Sequence, residues 1–262
     1  MTPGPLFISF RHVQKAFGTK VIFSDLTLDL FHGETFTIMG ASGSGKSVML
    51  KMLIGLLPAD GGEILFDGED ICKMNEKQLA VVRRRIAYLF QGAALFDSLS
   101  VGENVAYGLR EQFWNTMSEH DILARVEHSL HLVDMPGIES MQPSDLSGGM
   151  KKRVGLARTL ALQPEVILYD EPTTGLDPVN TARINHLVVS IQQALKLTSV
   201  VVTHDMGTAF SVSDRMAMIG GGRVLLVGTK EEFKTTRNQT VRDFIDGRAP
   251  ASEDVAALLA SS

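Results

Sequence analysis

Gly40-Ala41-Ser42-Gly43-Ser44-Gly45-Lys46-Ser47 is the stretch that decides how this chain is read. It fits the phosphate-loop pattern of a glycine, four free positions and then Gly-Lys-Ser. Glycines let the backbone curl until successive N–H groups point inward at phosphate oxygens. A strand should deliver such a loop and a helix should follow it, because the unpaired N–H groups of a helix N-terminus attract anions. Thr35-Phe36-Thr37-Ile38-Met39 reads as a buried strand, and Val48 to Leu57 carries helix formers as far as Pro58. Lys46 can reach terminal phosphates as a flexible charge, and the Ser47 hydroxyl is a hard oxygen ligand for Mg²⁺. Gly40, Ala41, Ser42, Gly43, Ser44, Gly45, Lys46, Ser47 and Val48 are therefore expected to hold a nucleotide, with ATP and Mg²⁺ as cofactors.

Downstream, Val166-Ile167-Leu168-Tyr169-Asp170-Glu171 is an apolar strand ending in two carboxylates. In phosphate-loop enzymes the acid at such a strand end holds Mg²⁺ beside the loop serine. Asp170 takes that role here, and Glu171 is placed to accept a proton from the attacking water. His204 closes another apolar strand, Val200-Val201-Val202-Thr203. A lone histidine there reads as structural. If the two strands are neighbours, its N–H instead comes within reach of the terminal phosphate or the water.

The rest of the pattern alternates strands with helices, which implies an α/β fold with a mostly parallel, covered sheet. Leu6 to Phe10, Val21 to Phe23 and Leu26 to Leu30 are expected as short early strands, and Asp67-Gly68 as a hairpin turn. Asn75 with Gln78 reads as a helix cap before Leu79 to Arg84, and Ile86 to Phe90 as a strand. From Gln91 to about Ser147 strand signals fade. Ser118 with Asp121 reads as a capping box, and Ile122, Val126, Leu130 and Val133 then form one apolar helical face. This stretch is read as an inserted helical subdomain. Helices are also expected over Met150 to Leu162, Thr181 to Leu197 and Met206 to Ser213, with late strands at Met216 to Ile219 and Val224 to Val227. The tail from Arg248 is rich in Ala, Ser and Pro, with helical composition at Asp254 to Ala260. A frayed end is the alternative there.

Composition bounds what the chain can be. Its 262 residues are 44% hydrophobic and 21% charged, enough for one large domain with an insertion. The formal net charge of −5 argues against a nucleic-acid partner. Cys72 is the one cysteine, so no intrachain disulfide is available and a reducing compartment is expected. The opening MTPGPLFISF lacks the basic-then-apolar order of a secretory leader, and no apolar run is long enough to span a bilayer. The chain reads as soluble, so a membrane process would need another chain to cross the membrane.

Leu146-Ser147-Gly148-Gly149-Met150 precedes a helix opening on Lys151-Lys152-Arg153. Those cations oppose the helix dipole. The residues alone leave two readings, a glycine turn with a solvated basic face, or a second phosphate site built by Ser147 and the Gly148 and Gly149 amides. Here the chain resembles an ABC-transporter ATPase subunit over nearly its whole length. LSGG resembles that family's signature motif, with Met150 in place of the commoner glutamine. Gln91 resembles its Q-loop glutamine, which approaches Mg²⁺ and the water. Gly175-Leu176-Asp177 resembles its D-loop, His204 its H-loop, and Phe17 the aromatic that stacks on adenine.

The resemblance implies a RecA-like phosphate-loop core with an antiparallel β subdomain and an α-helical insertion. Residues 1–247 would form one ABC ATPase domain, with the core and β subdomain in 1–90 and 151–247, the signature-bearing helical subdomain in 91–150, and a tail at 248–262. It also implies that the phosphate loop of one chain meets LSGG of a second copy across shared ATP, with Asp177 among the nucleotide-binding residues.

Leu89 to Val101, Glu103-Asn104-Val105-Ala106-Tyr107 and Ile64 to Glu69 are further similar to the ATPases of the Mla/Mce phospholipid-transport systems. Expected partners are then a transmembrane permease, a periplasmic Mce-type lipid-binding subunit and a small cytoplasmic accessory subunit. The place would be the cytoplasmic face of the inner membrane, and the task phospholipid transport between inner and outer membranes. The alternatives are another transported substrate, or a non-transport ABC ATPase. The latter tend to carry paired cassettes, long coiled-coil insertions or zinc cysteines. A GTPase or kinase would leave LSGG without an account.

Overall fold

A computed structural model describes residues 4–113 and 115–248. The expected helix at Asp254 to Ala260 lies outside them. Two long strands open the chain, β1 (Leu6–Phe17) and β2 (Lys20–Phe31), paired antiparallel through a tight turn at Phe17 and Lys20. The short strands expected from Leu6 and from Val21 are thus longer and unbroken. Polar residues such as Ser24 and Asp25 face solvent on β2 while Phe23, Leu26, Leu28 and Leu30 face inward, and a register shift in the pairing with β1 keeps Phe23 and Leu26 on one side across the apparent gap.

β3 (Thr35–Met39) delivers the phosphate loop, and α1 (Lys46–Leu53) follows it. β4 (Gly61–Phe66) and the short β5 (Glu69–Asp70) form the expected hairpin. Its turn residues Asp67 and Gly68 both have positive φ, 53° and 83°, as a two-residue turn of this hand requires. α2 (Glu76–Arg85) starts at Asn75, where the expected capping box is complete: each of Asn75 and Gln78 accepts the other's backbone N–H. β6 (Ile86–Leu89) then leads to Gln91.

Between β6 and the next strand lie α3 (Val101–Phe113), α4 (Glu119–Leu132) and α5 (Gly148–Ala161). Only half of the box expected at Ser118 forms. Its hydroxyl oxygen accepts the Asp121 N–H, but the Asp121 carboxylate turns to the Ser118 hydroxyl rather than to the backbone. α5 begins at Gly148, two positions before the expected Met150.

β7 (Val166–Asp170), α6 (Pro178–Leu195), β8 (Thr198–Thr203), α7 (Met206–Val212), β9 (Arg215–Gly220), β10 (Arg223–Thr229), α8 (Lys230–Thr235) and α9 (Gln239–Ile245) complete the chain. α6 starts earlier than expected because Asp177 caps it and Pro178 fits its first turn.

The strands lie in the order β5-β4-β1-β2-β10-β9-β3-β8-β7-β6. From β9 to β6 all pairs are parallel, and β5-β4-β1-β2 is antiparallel. One Cα pair, Arg223 with Asp25, joins the two parts. β3, β7 and β8 are buried at every position, as their continuous apolar runs predict. Successive residues of β7 and β8 serve opposite cores. Leu168, Val200 and Val202 pack with Phe36 and Ile38 beside α1, whereas Ile167, Tyr169 and Val201 pack with Leu156 and Ile184 on α5 and α6. Val105 of α3 and Val126 and Leu130 of α4 extend that second core and pack with α5. Deleting a large side chain from either core, as in Phe36→Ala, costs about 3–5 kcal/mol.

Candidate active site

The parallel order β3-β8-β7 sets the ends of three strands side by side, and each ends in a residue singled out by sequence. β3 ends at the loop, β7 at Asp170 and β8 at Thr203, followed by His204. This is the neighbourhood on which the functional reading of His204 depended. Ligands of open α/β sheets bind at such carboxyl ends.

A cleft of about 710 Å³ opens there. Its lining includes Ala41, Ser42, Gly43, Gly45, Lys46, Ser47 and Val48 from the loop and α1, with Gln91, Glu171 and His204 across from them. The loop owes its shape to residues without bulk. Gly45 has φ 99°, and a Cβ there would lie 2.5 Å from Ile22 and 2.7 Å from Phe23. Lys46 is buried, and its ammonium donates to the carbonyls of Gly40 at 2.8 Å and Ala41 at 3.2 Å. Burial lowers its pKa, an effect the Glu171 and Asp170 carboxylates partly oppose. The buried hydroxyl oxygen of Ser44 has no hydrogen-bond partner among the described residues. A loop holding a desolvated cation and an unpaired hydroxyl is built for an anion.

Asp170 is buried, with both oxygens engaged. Oδ1 accepts from the Ser47 hydroxyl at 2.8 Å, and Oδ2 accepts from the Tyr88 hydroxyl at 2.7 Å. Glu171 sits in the left-handed region with φ 49°, a conformation that costs a non-glycine residue about 1–3 kcal/mol. The surroundings hold it there. Its N–H donates to Val202 O at 2.9 Å, and its Oε2 accepts from the hydroxyls of Thr174 at 3.2 Å and Thr203 at 3.3 Å. Its Oε1 lies 3.0 Å from His204 Nδ1 and 3.8 Å from Lys46 Nζ. The twist turns the carboxylate back over the loop instead of out along the strand.

The other expected residues lie apart from this network. Phe17 stands exposed at the end of β1, with the Lys15 ammonium 5.2 Å from its ring centroid. It does not line the cleft, although its strand partner Lys20 does. Ser147 caps α5 by accepting the Met150 N–H at 3.3 Å. A Cβ on Gly149 would meet Asn180 at 2.8 Å, so the signature glycine packs against the start of α6. Asp177 caps that same helix, accepting from the N–H groups of Val179 and Asn180. These hydrogen bonds hold its carboxyl below the usual range. Ser147, Gly148, Gly149 and Asp177 thus form one patch away from their own cleft.

Sequence reasoning missed Thr174, Thr203 and Tyr88, which hold the two carboxylates, and Lys20, Ile22 and Phe244, which line the cleft. Tyr88 carried a faint signal, a polar tip within an otherwise apolar strand.

The sequence profile of the ABC transporter family matches residues 23–174, more than half of the chain. This protein belongs to the ABC transporter family. It is an ATP-hydrolysing subunit of an ABC transporter. The chain is 41% identical over 246 residues to the Mycobacterium leprae "probable ribonucleotide transport ATP-binding protein mkl", covering 94% of this chain and 70% of that protein. It is 40% identical over 232 residues to the Haemophilus influenzae "intermembrane phospholipid transport system ATP-binding protein MlaF", covering 88% and 87%. Among solved structures, the dimeric ATP-binding cassette MJ0796 bound to ADP and phosphate superposes with a TM-score of 0.77 at 30% identity, covering 85% of this chain and 98% of that one. The α/β cassette fold and the ATPase activity expected from sequence therefore hold. No helix among the described residues is long and apolar enough to cross a membrane.

Proposed function

We propose that this subunit works as a homodimer at the cytoplasmic face of the inner membrane, driving a separate permease that moves phospholipid between inner and outer membranes. One observation carries the dimer. The phosphate-loop cleft is lined without Ser147, Gly148, Gly149 or Asp177; on the same chain Ser147, Gly148 and Asp177 are exposed, and Gly149 is buried against Asn180. A second copy would bring its patch to the first copy's ATP, as the dimeric state of MJ0796 supports.

The hydrolytic step follows from the residues in place. Glu171 accepts a proton from the attacking water, whose oxygen bonds to the terminal phosphorus while the bond to ADP breaks. His204 orients Glu171 from 3.0 Å and offers an N–H toward the leaving phosphate. Lys46 turns from the Gly40 and Ala41 carbonyls to the phosphate oxygens. Gln91, exposed at the rim, meets the water from the other side. Ser47 and Asp170 converge at 2.8 Å as hard oxygen donors, the class Mg²⁺ takes, and with Gln91 they would hold it. Bound Mg²⁺ supplies charge neutralisation across the phosphates. Phe17 offers the adenine its exposed face.

Two relatives carry different substrates in their names, ribonucleotides and phospholipids. The phospholipid reading is favoured by length, since at nearly equal identity (40% and 41%) the chain covers 87% of the Haemophilus influenzae protein but 70% of the mycobacterial one. An Mce-type lipid-binding subunit and a small accessory subunit would complete the assembly. Purification of the tagged chain from detergent-solubilised membranes, followed by mass spectrometry of proteins and lipids, tests this. A permease carrying bound phospholipid is expected; a permease retaining nucleotides and no lipid would overturn the cargo.

A further inference from the structure

Asp170 has two neighbours that fix it, and only one belongs to the phosphate loop. The other is Tyr88, on a strand that pairs with β7 from the far side. Its ring is half-buried and stacks on Phe90, with centroids 4.4 Å apart and planes at 28°. Its hydroxyl reaches Asp170 Oδ2 at 2.7 Å. A tyrosine hydroxyl near neutral pH is protonated, so it donates and the carboxylate accepts. With Oδ2 engaged, Oδ1 is left turned to Ser47 at 2.8 Å.

We propose that Tyr88 is the positioning residue for the metal-holding carboxylate, and that the Phe90 ring braces it. This rests on the reading above that Ser47 and Asp170 hold Mg²⁺. Without the Tyr88 hydroxyl, Asp170 is free to rotate about its terminal bond, and its alignment with Ser47 becomes one orientation among several. Groups that orient a metal ligand in this way are typically worth about 10- to 100-fold in metal affinity. The contact is unrelated to purine or phosphate recognition, so Tyr88 should act on metal-dependent binding alone.

ADP affinity of the full chain, measured with excess Mg²⁺ and again with EDTA, separates the two contributions without any turnover. Wild type is expected to bind more tightly with Mg²⁺, and Ser47→Ala to lose that gain. Tyr88→Phe, which keeps the stacked ring, is expected to reduce the Mg²⁺-dependent gain about tenfold and leave the EDTA affinity unchanged. Tyr88→Met serves the same test if the phenylalanine variant does not fold. Phe90→Leu is expected to reduce the gain by less. If Ser47→Ala loses the gain while both Tyr88 variants keep it, the proposal is wrong and the metal reading stands. If Ser47→Ala keeps it, both are wrong. An equal loss with Mg²⁺ and with EDTA in the Tyr88 variants would make the residue merely structural and overturn the proposal. A Phe90→Leu gain equal to wild type would overturn the brace.

Discussion

The phosphate-loop side and the signature side of this cassette are built in opposite ways. Around the loop, Lys46, Asp170 and Glu171 are buried or nearly so, with Lys46 facing Glu171, Asp170 accepting from Ser47, and Glu171 beside His204. Glu171 is even held in a strained conformation, with Thr174, Thr203 and His204 keeping it there. On the signature side, Ser147 and Asp177 are exposed, and each satisfies a helix of its own chain. The first is a network with a cavity in its middle. The second is a finished surface. In the proposed dimer this asymmetry divides the labour, one side retaining nucleotide while the other lets go.

The comparison breaks first at Glu171. Replacement by Gln should leave ATP binding intact and slow phosphate release by about 10²–10⁴-fold. A variant with near-normal turnover would take the base role from Glu171. Mixed dimers come next. A chain with Lys46→Ala paired with a chain with Ser147→Arg should keep one working site. Both changes placed in a single chain beside a wild-type partner should leave none, with activity down about 10²-fold. The reverse pattern would mean that each chain serves its own ATP.

Gly149→Val comes third. Its new side chain would strike Asn180, costing about 1–3 kcal/mol in urea unfolding; no loss would mean that the α5–α6 contact is slack. The smallest effect is a pH dependence. The folded-state pKa of Asp177 is depressed by the N–H groups it caps. Its contribution is present above the unfolded carboxyl pKa, about 3.9, and is lost as pH falls through the lower folded value. Asp177→Ala should therefore melt lower than wild type at neutral pH, with the gap closing in acid. A gap constant with pH would put the effect in packing instead of charge.

Much of one side was legible in the sequence, because its logic is local. A glycine loop between strand and helix, or carboxylates ending an apolar run, is written in consecutive residues. The adjacency of β7 and β8 was legible as a condition, and the fold met it. Beyond its polar tip in an apolar strand, the role of Tyr88 was not legible, since nothing within Ile86 to Leu89 says that this strand pairs with β7 and puts a phenol on Asp170. The left-handed Glu171 was equally hidden, because its neighbours come from two separate segments, Thr174 and Val202 to His204. The long β1 and β2 were misjudged for a simpler reason. Solvent-facing polar residues on a half-buried strand look like breaks to a reader counting apolar runs.

The sheet itself has a weak stitch. Its antiparallel and parallel parts meet along one Cα pair, Arg223 with Asp25. Side-chain packing makes up for the missing rungs: Phe23, Leu26 and Leu30 of the antiparallel part share one buried cluster with Phe36, Ile38 and Met49 beside the phosphate loop. The loop is thus backed from across the seam, with Gly45 lying against Ile22 and Phe23.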